Sequence, residues 1–331
     1  MIALWHIAML VGGIALLVVG AEVLVKGAKR LATAMGISPF VVGLTVVAFG
    51  TSAPELGGSL GAVFKDEPGL AVGNVVGSNI ANIGLILGVT AVICPIPVRL
   101  SVIRKEAVIM VAVTVCAVLL MLGDGAHRVE GAVLVAALLG FVAFAYLNGK
   151  RTADGEEASE LVRAAQELDD EIGTSSGDTG VARSIVYVVV GLAMLFFGSD
   201  LLVDGAKALA TMLNVPAAVI GLSLVAFGTS VPELALSAIA AFRKEPDIAV
   251  GNIIGSNIFN LLCVLGFTAL FSPVPLEATD GFWNRDAPVM LLLTVACLPI
   301  MLVGRNISRI EGVLLLGLYV GYLGVLIATT R

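Results

Sequence analysis

Two glutamates, Glu55 and Glu233, each close the sequence Gly-Thr-Ser-x-Pro-Glu inside apolar sequence, as "AFGTSAPEL" from Ala48 and "AFGTSVPEL" from Ala226. A carboxylate buried in an apolar helix is costly, and its default meaning is a binding site or an ion path. Pro54 and Pro232 have no N–H and clash with the preceding turn, so carbonyls just upstream lose their helical partners. Gly50-Thr51-Ser52 and Gly228-Thr229-Ser230 stand where that disruption falls. Freed carbonyls, hydroxyls and a carboxylate are hard oxygen ligands. Calcium and sodium prefer such ligands, and no imidazole or thiolate for a softer metal accompanies them.

A second motif follows each of the first, "GNVVGSNIAN" and "GNIIGSNIFN". Ser78 and Asn82 are four apart, as are Ser256 and Asn260, which puts each pair on one helix face. Gly73 and Gly77, and Gly251 and Gly255, share that spacing and make faces on which helices approach closely. The two glutamates supply a formal charge of −2. One divalent or two monovalent cations neutralise it. Unpaired buried carboxylates are expensive, so a site that accepts either load and resists being empty suits an exchanger. A single glutamate would also fit a structural hydrogen-bonding role; its repetition within the same double motif argues against that.

The motifs sit in a duplicated chain. A shift of 178 residues takes Glu55 onto Glu233 and "GAEVLVKGAKRLA" from Gly20 onto "GSDLLVDGAKALA" from Gly198. The composition is that of a membrane protein: 58% hydrophobic and 13% charged, where soluble domains are about a quarter charged. The apolar runs predict ten spans, near 7–25, 37–62, 70–93, 106–123, 130–148, 184–203, 214–241, 248–271, 287–303 and 309–329. Five spans per unit is odd, so the second unit must enter the membrane inverted, an architecture of secondary transporters. The expected fold class is thus an all-α membrane protein of ten transmembrane helices, arranged as two inverted five-helix repeats whose helices break at the motifs. The expected parts are residues 1–149, an acidic linker at 150–183, and residues 184–331.

Basic residues set the orientation. Fourteen of the 19, including Lys26, Lys29, Arg30, Arg104, Lys105, Arg243 and the four in the linker, fall on one side. The positive-inside rule puts that side and the linker in the cytoplasm and both termini outside. The N-terminus does not read as a cleaved signal, since no Lys or Arg precedes its apolar run. The net charge of −6 arises mostly in the linker, and with no basic patch a nucleic-acid partner is not expected. The linker reads as a solvated connector without calcium-loop spacing. Cys94, Cys116, Cys263 and Cys297 read as small hydrophobes.

At these motifs the chain resembles the cation/calcium exchanger superfamily, most closely its prokaryotic sodium/calcium exchanger branch. The resemblance spans essentially the whole chain. It implies a cluster of four cation sites. Glu55 and Glu233 would share a central calcium with the carbonyls of Thr51 and Thr229. The Ala48 carbonyl, Ser52 and Ser78 would line one sodium site, and the Ala226 carbonyl, Ser230 and Ser256 the other. Asn82 and Asn260 would face the middle. The resemblance also implies that the first and sixth helices slide across the rest. Calcium and sodium are then transported substrates, the setting is the lipid bilayer of the cell membrane, and no cofactor is needed. Some potassium-dependent relatives have Asp where this chain has Asn260, so potassium independence is expected. The alternative is a proton/calcium antiporter, since protons also neutralise paired glutamates. A passive channel and an intramembrane enzyme are the other classes, and the chain offers no nucleophile–base pair for the latter.

Glu22 and Asp200 occupy equivalent positions and read as interfacial acids, with Lys26 one turn from Glu22. His6 and His127 read as interfacial. Glu130 and Glu311 begin helices, where an acid complements the dipole.

Overall fold

The computed structural model describes residues 2–122, 125–152, 181–213, 226–275, 281–303 and 306–329. Most of the expected linker lies outside the described residues, as does the first part of the expected seventh span. The architecture is helical. In order, α1 is Ile2–Met35, α2 Pro39–Val63, α3 Pro68–Ile93, α4 Leu100–Leu120 and α5 Arg128–Thr152. The second half holds α6, Val181–Met212, then α7, whose pieces are Ala226–Thr229 and Val231–Phe242. It ends with α8 Pro246–Phe271, α9 Phe282–Leu302 and α10 Arg309–Thr329.

Among the described residues, eight of these helices are long and apolar enough to cross a membrane, and Val231–Phe242 is a shorter apolar helix. The remaining helix, α4, carries Arg104, Lys105 and Glu106 near its start. Apolar residues face outward on α1, α5, α6 and α10, where Trp5, Leu139, Phe197 and Ile310 are exposed. Such faces suit lipid rather than water. Polar residues are instead buried at the centre, inverting the pattern of a soluble protein.

Helices α1 and α6 are longer than their apolar cores predict, at 34 and 32 residues. At 1.5 Å per residue α1 runs about 50 Å, well beyond a hydrocarbon core of about 30 Å. Its C-terminal end therefore carries Lys26, Lys29 and Arg30 as helix rather than loop. The two helices run antiparallel in close contact. A methyl added at Gly13 would meet the Gly198 carbonyl oxygen at 2.8 Å, and one at Gly20 would meet that of Gly191 at 3.1 Å. Gly27 and Gly205 continue the seam at seven-residue spacing.

Among the described residues, four two-residue strands tie the loops. β1, Ile96–Pro97, pairs antiparallel with β4, Asn306–Ile307, and β2, Gly125–Ala126, pairs with β3, Val274–Pro275. The strand that follows α3 thus meets the one that follows α9, and the strand that follows α4 meets the one that follows α8.

The acidic helix starts are capped. The Glu311 carboxylate accepts from Ser308 N at 2.6 Å while Ser308 Oγ accepts from Glu311 N at 3.3 Å. That is a reciprocal capping box. Glu130 likewise accepts from His127 N at 3.1 Å. Glu22 departs from expectation: it pairs with Arg243, at the end of α7, rather than with Lys26 on its own helix. All four cysteines are free, Cys263 and Cys297 buried, Cys94 half-buried and Cys116 exposed.

Candidate cation-binding site

Both glutamates lie within a turn of a break in their helix. In α2 the break falls at Ser52, with φ −83° and ψ 4°. In α7 it falls at Ser230, with φ −91° and ψ 0°. Pro54 and Pro232 follow within the first turn of the resumed helix, where a missing N–H costs little. Serine at such a position normally turns its hydroxyl onto a free N–H of the helix it starts. Neither serine does so. Each Oγ is buried and hydrogen-bonds to nothing among the described residues. Glu55 and Glu233 then stand in the first turn of a helix, whose dipole favours negative charge.

Burial at this point is nearly complete. Glu55 is 1% exposed and Glu233 2%. Thr229 lies beside the carboxylate of Glu55, and Thr51 beside that of Glu233. Helices α3 and α8 pack against the two broken helices. Ser78, Asn82, Ser256 and Asn260 are all buried. At Asn82 and again at Asn260 the helix widens into a π-helical turn, Asn82–Leu87 and Asn260–Leu265. Such turns are rare and concentrate at functional positions.

Eight buried side-chain atoms here have no hydrogen-bond partner among the described residues: Ser52 Oγ, Glu55 Oε2, Asn82 Nδ2, Thr229 Oγ1, Ser230 Oγ, Glu233 Oε2, Ser256 Oγ and Asn260 Oδ1. All but the Asn82 nitrogen are oxygens. Buried polar groups are otherwise almost always paired, and an unpaired one costs about 1–3 kcal/mol. Such a concentration in one place fits hard cations, calcium taking six or more oxygens. Among the described residues no group of three or more His, Cys, Asp or Glu side chains gathers. The donor set is two carboxylates with hydroxyls, amides and carbonyls.

The other expected ligands are placed as follows. The Ala48 carbonyl accepts from Ser52 N at 3.0 Å and Thr51 Oγ1 at 3.3 Å, so a cation there would displace the hydroxyl. Ala226 begins the short helical piece ahead of Ser230. Ser78 borders a cavity. The helical donor that Pro232 denies to the Gly228 carbonyl is replaced by Ser199 of α6, whose Oγ donates at 2.7 Å. Its counterpart in the first half is Ala21.

Sequence reasoning missed the residues that brace the breaks. Asn74 Nδ2 donates to the Glu55 carbonyl and to Ser59 Oγ, both at 2.9 Å. Asn252 Nδ2 donates to Ser237 Oγ at 3.2 Å, and its oxygen accepts from Thr51 Oγ1 at 3.1 Å. The signal was present, since each asparagine follows its serine by 15 residues in both halves.

Cavities among the described residues approach the cluster. One of about 630 Å3 lies between α3, α9 and α10 and is lined by Asn74, Gly77, Ser78, Asp286 and Tyr322 among others. Another of about 220 Å3 lies against α6 and reaches Pro54, Thr229 and Pro232 past Asp200 and Asp204.

The family model described as sodium/calcium exchanger protein matches residues 5–147 and 183–328. The sodium/calcium exchanger MaX1 of Methanosarcina acetivorans is 33% identical over 320 residues, covering 89% of this chain and 91% of that one. The inner membrane protein YrbG of Escherichia coli is 36% identical over 289 residues, covering 87% and 86%. Among solved structures, the sodium-calcium exchanger NCX_Mj soaked with zero Na+ and Ca2+ superimposes with a TM-score of 0.81 at 32% identity, over 98% of this chain and 99% of that one.

Proposed function

The chain belongs to the sodium/calcium exchanger protein family, and from that membership we propose that it is a secondary antiporter that admits sodium to expel calcium, without needing potassium. The observation that carries this reading is the cluster of unpaired buried oxygens around two repeat-related carboxylates, Glu55 and Glu233.

Calcium sits between the two carboxylates, helped by the Thr51 and Thr229 carbonyls. Sodium sits to either side, at the Ala48 carbonyl with Ser52 and Ser78, and at the Ala226 carbonyl with Ser230 and Ser256. Asn82 and Asn260 face the middle as neutral amides, which leaves the charge at −2. One calcium ion cancels that charge, and so do two sodium ions. With neither, two carboxylates remain buried together, and an uncompensated buried charge costs about 3–5 kcal/mol. The empty carrier therefore reorients rarely, and that reluctance couples the two fluxes.

Ten spans in two inverted five-helix repeats, residues 1–149 and 184–331 joined by a linker at 150–183, give the site access to both sides in turn. The strand pairs support the inversion. β1 and β3 hold equivalent places in the two halves, yet β1 pairs with the strand after α9 and β3 with the strand after α4. One spanning helix separates β1 from β2, so the equivalent strands belong to opposite faces of the membrane. The basic residues place both termini outside and the linker in the cytoplasm. In that orientation the larger cavity opens to the exterior. Helices α1 and α6 slide across the remainder as one antiparallel pair.

Calcium uptake into liposomes tests the function. Protein-containing vesicles are loaded with sodium, potassium or choline and diluted into sodium-free buffer, with an imposed pH gradient in a separate arm. Uptake with internal sodium alone is the expected result. Uptake driven by the pH gradient alone would make protons the counter-ion, and uptake without any gradient would make the protein a channel.

A further inference from the structure

At one end of the bundle, α1 is tied to the turn between α7 and α8. Lys29 Nζ lies 2.7 Å from Glu245 Oε1, and Glu22 pairs with Arg243. The neighbouring stretch of α8 is closed: Gly251, Asn252, Gly255 and Ser256 are all buried. At the other end the equivalent stretch of α3 is open. Gly73 is exposed, Asn74 and Gly77 are half-buried, and the larger cavity lies against them.

The 178-residue shift carries each member of the two ion pairs onto a residue of the same charge. Glu22 becomes Asp200 and Arg243 becomes Lys65; Lys29 becomes Lys207 and Glu245 becomes Glu67. All four counterparts are exposed, and among the described residues they form no ion pair. The turns that present them are nevertheless alike. Asp66 and Lys244, equivalent non-glycine residues, both adopt the left-handed region, with φ 58° and 61°. Glu67 has φ −114° and ψ 58°, and Glu245 has φ −112° and ψ 60°. Glu67 N donates to the Ala62 carbonyl at 2.9 Å, as Glu245 N does to that of Ala240 at 2.8 Å. The helices that carry the partners, α1 and α6, pack on each other through equivalent glycines. Every component of the tie is thus built twice, and one copy is engaged.

We infer that Lys65, Glu67, Asp200 and Lys207 are positioning residues of the transport cycle: when the carrier faces the opposite way, Asp200 pairs with Lys65 and Lys207 with Glu67, while the Glu22–Arg243 and Lys29–Glu245 pairs part. This rests on the alternating-access reading above. Exposed ion pairs are individually weak, which suits ties that must break in every cycle. Breaking two at one end while making two at the other keeps the two states close in free energy. Both are then populated, and bound ions select between them.

Disulfide trapping tests the inference in the full chain, made cysteine-free by Cys94→Ala, Cys116→Ala, Cys263→Ala and Cys297→Ala. Calcium exchange by the wild-type chain and by this parent is measured first; its absence from the wild-type chain would sink the exchanger reading and leave the trapping result to stand separately. E22C/R243C and K65C/D200C are then treated in liposomes with a short, reducible bis-methanethiosulfonate that bridges the two thiols through disulfides. Ion-pair partners with long side chains hold their Cα atoms farther apart than the roughly 7 Å a direct disulfide allows. Each pair is expected to cross-link, each cross-link to stop exchange until it is reduced, and the four-cysteine chain to form one or the other but not both. E67C/K207C repeats the trial on the second pair should K65C/D200C fail to fold. Failure of the folded Lys65–Asp200 or Glu67–Lys207 variants to cross-link would overturn the inference, as would both cross-links in one molecule.

Discussion

The Thr51 hydroxyl of the first half donates to the side-chain oxygen of Asn252 in the second at 3.1 Å, across 201 residues of sequence. Asn252 passes the connection on to Ser237, on the same helix as Glu233. One buried hydrogen-bonded chain therefore joins the break in α2 to the helix that carries the second glutamate. In the first half, Asn74 makes the equivalent bond to Ser59 and, in place of the cross-half bond, donates to the Glu55 carbonyl. The two halves share the asparagine–serine bond and differ in the asparagine's second partner, and the cross-half bond lies on the closed side of the cluster.

Asn252→Ala removes that brace. It takes the donor from the buried Ser237 hydroxyl, at about 1–3 kcal/mol, and leaves the Thr51 hydroxyl to its longer bond with the Ala48 carbonyl. Calcium affinity measured by titration should fall roughly tenfold or more, with a lowered unfolding midpoint. Asn74→Ala, at a half-buried position, should cost less. Negligible effects of both would deny the asparagines a bracing role.

The glycine seam between α1 and α6 should be intolerant where backbone meets backbone. Gly13→Ala would press a methyl to 2.8 Å from the Gly198 carbonyl oxygen and from Leu202 N, whereas a methyl at Gly12 meets nothing within 4 Å. Overpacking of this kind costs about 1–3 kcal/mol. The Gly13 variant should exchange several-fold more slowly and unfold at lower temperature, with Gly12→Ala matching the parent. Parent-like behaviour at Gly13 would mean that the two helices do not pack through this face during transport.

Potassium should be irrelevant. Asn82 and Asn260 are neutral and buried, so the cluster keeps two carboxylates and the charge that one calcium or two sodium ions cancel. Sodium-driven calcium uptake is expected to be unchanged when choline replaces potassium on both sides. A several-fold loss in choline would assign potassium a place that the donor set gives no reason for.

The repeated motifs made the candidate site legible in the sequence. Pro54 with Glu55, and Pro232 with Glu233, announced a broken helix bearing a charge, and the four-residue spacing of Ser78 with Asn82 announced a polar face that the structure buries. Other features depend on tertiary contacts that no local pattern encodes. Lys26, Lys29 and Arg30 look like the end of a span, yet α1 continues through them, with Lys29 and Glu22 held by Glu245 and Arg243 more than two hundred residues on. The π-helical turns at Asn82 and Asn260 leave the apolar pattern unchanged, so periodicity does not reveal them. Nor does the sequence say that Ser52 and Ser230, both good caps by type, leave their hydroxyls unused.

If Glu55 and Glu233 jointly hold the transported calcium, removing either charge must weaken binding without unfolding the chain. The decisive experiment is equilibrium calcium binding to the purified wild-type chain, to Glu55→Gln and to Glu233→Gln, each with and without sodium. One calcium per wild-type chain, displaced by sodium, is expected. Either variant should stay folded and bind at least about a hundredfold more weakly, as expected for loss of a buried charge partner worth about 3–5 kcal/mol. Wild-type calcium affinity in either folded variant would contradict the shared site.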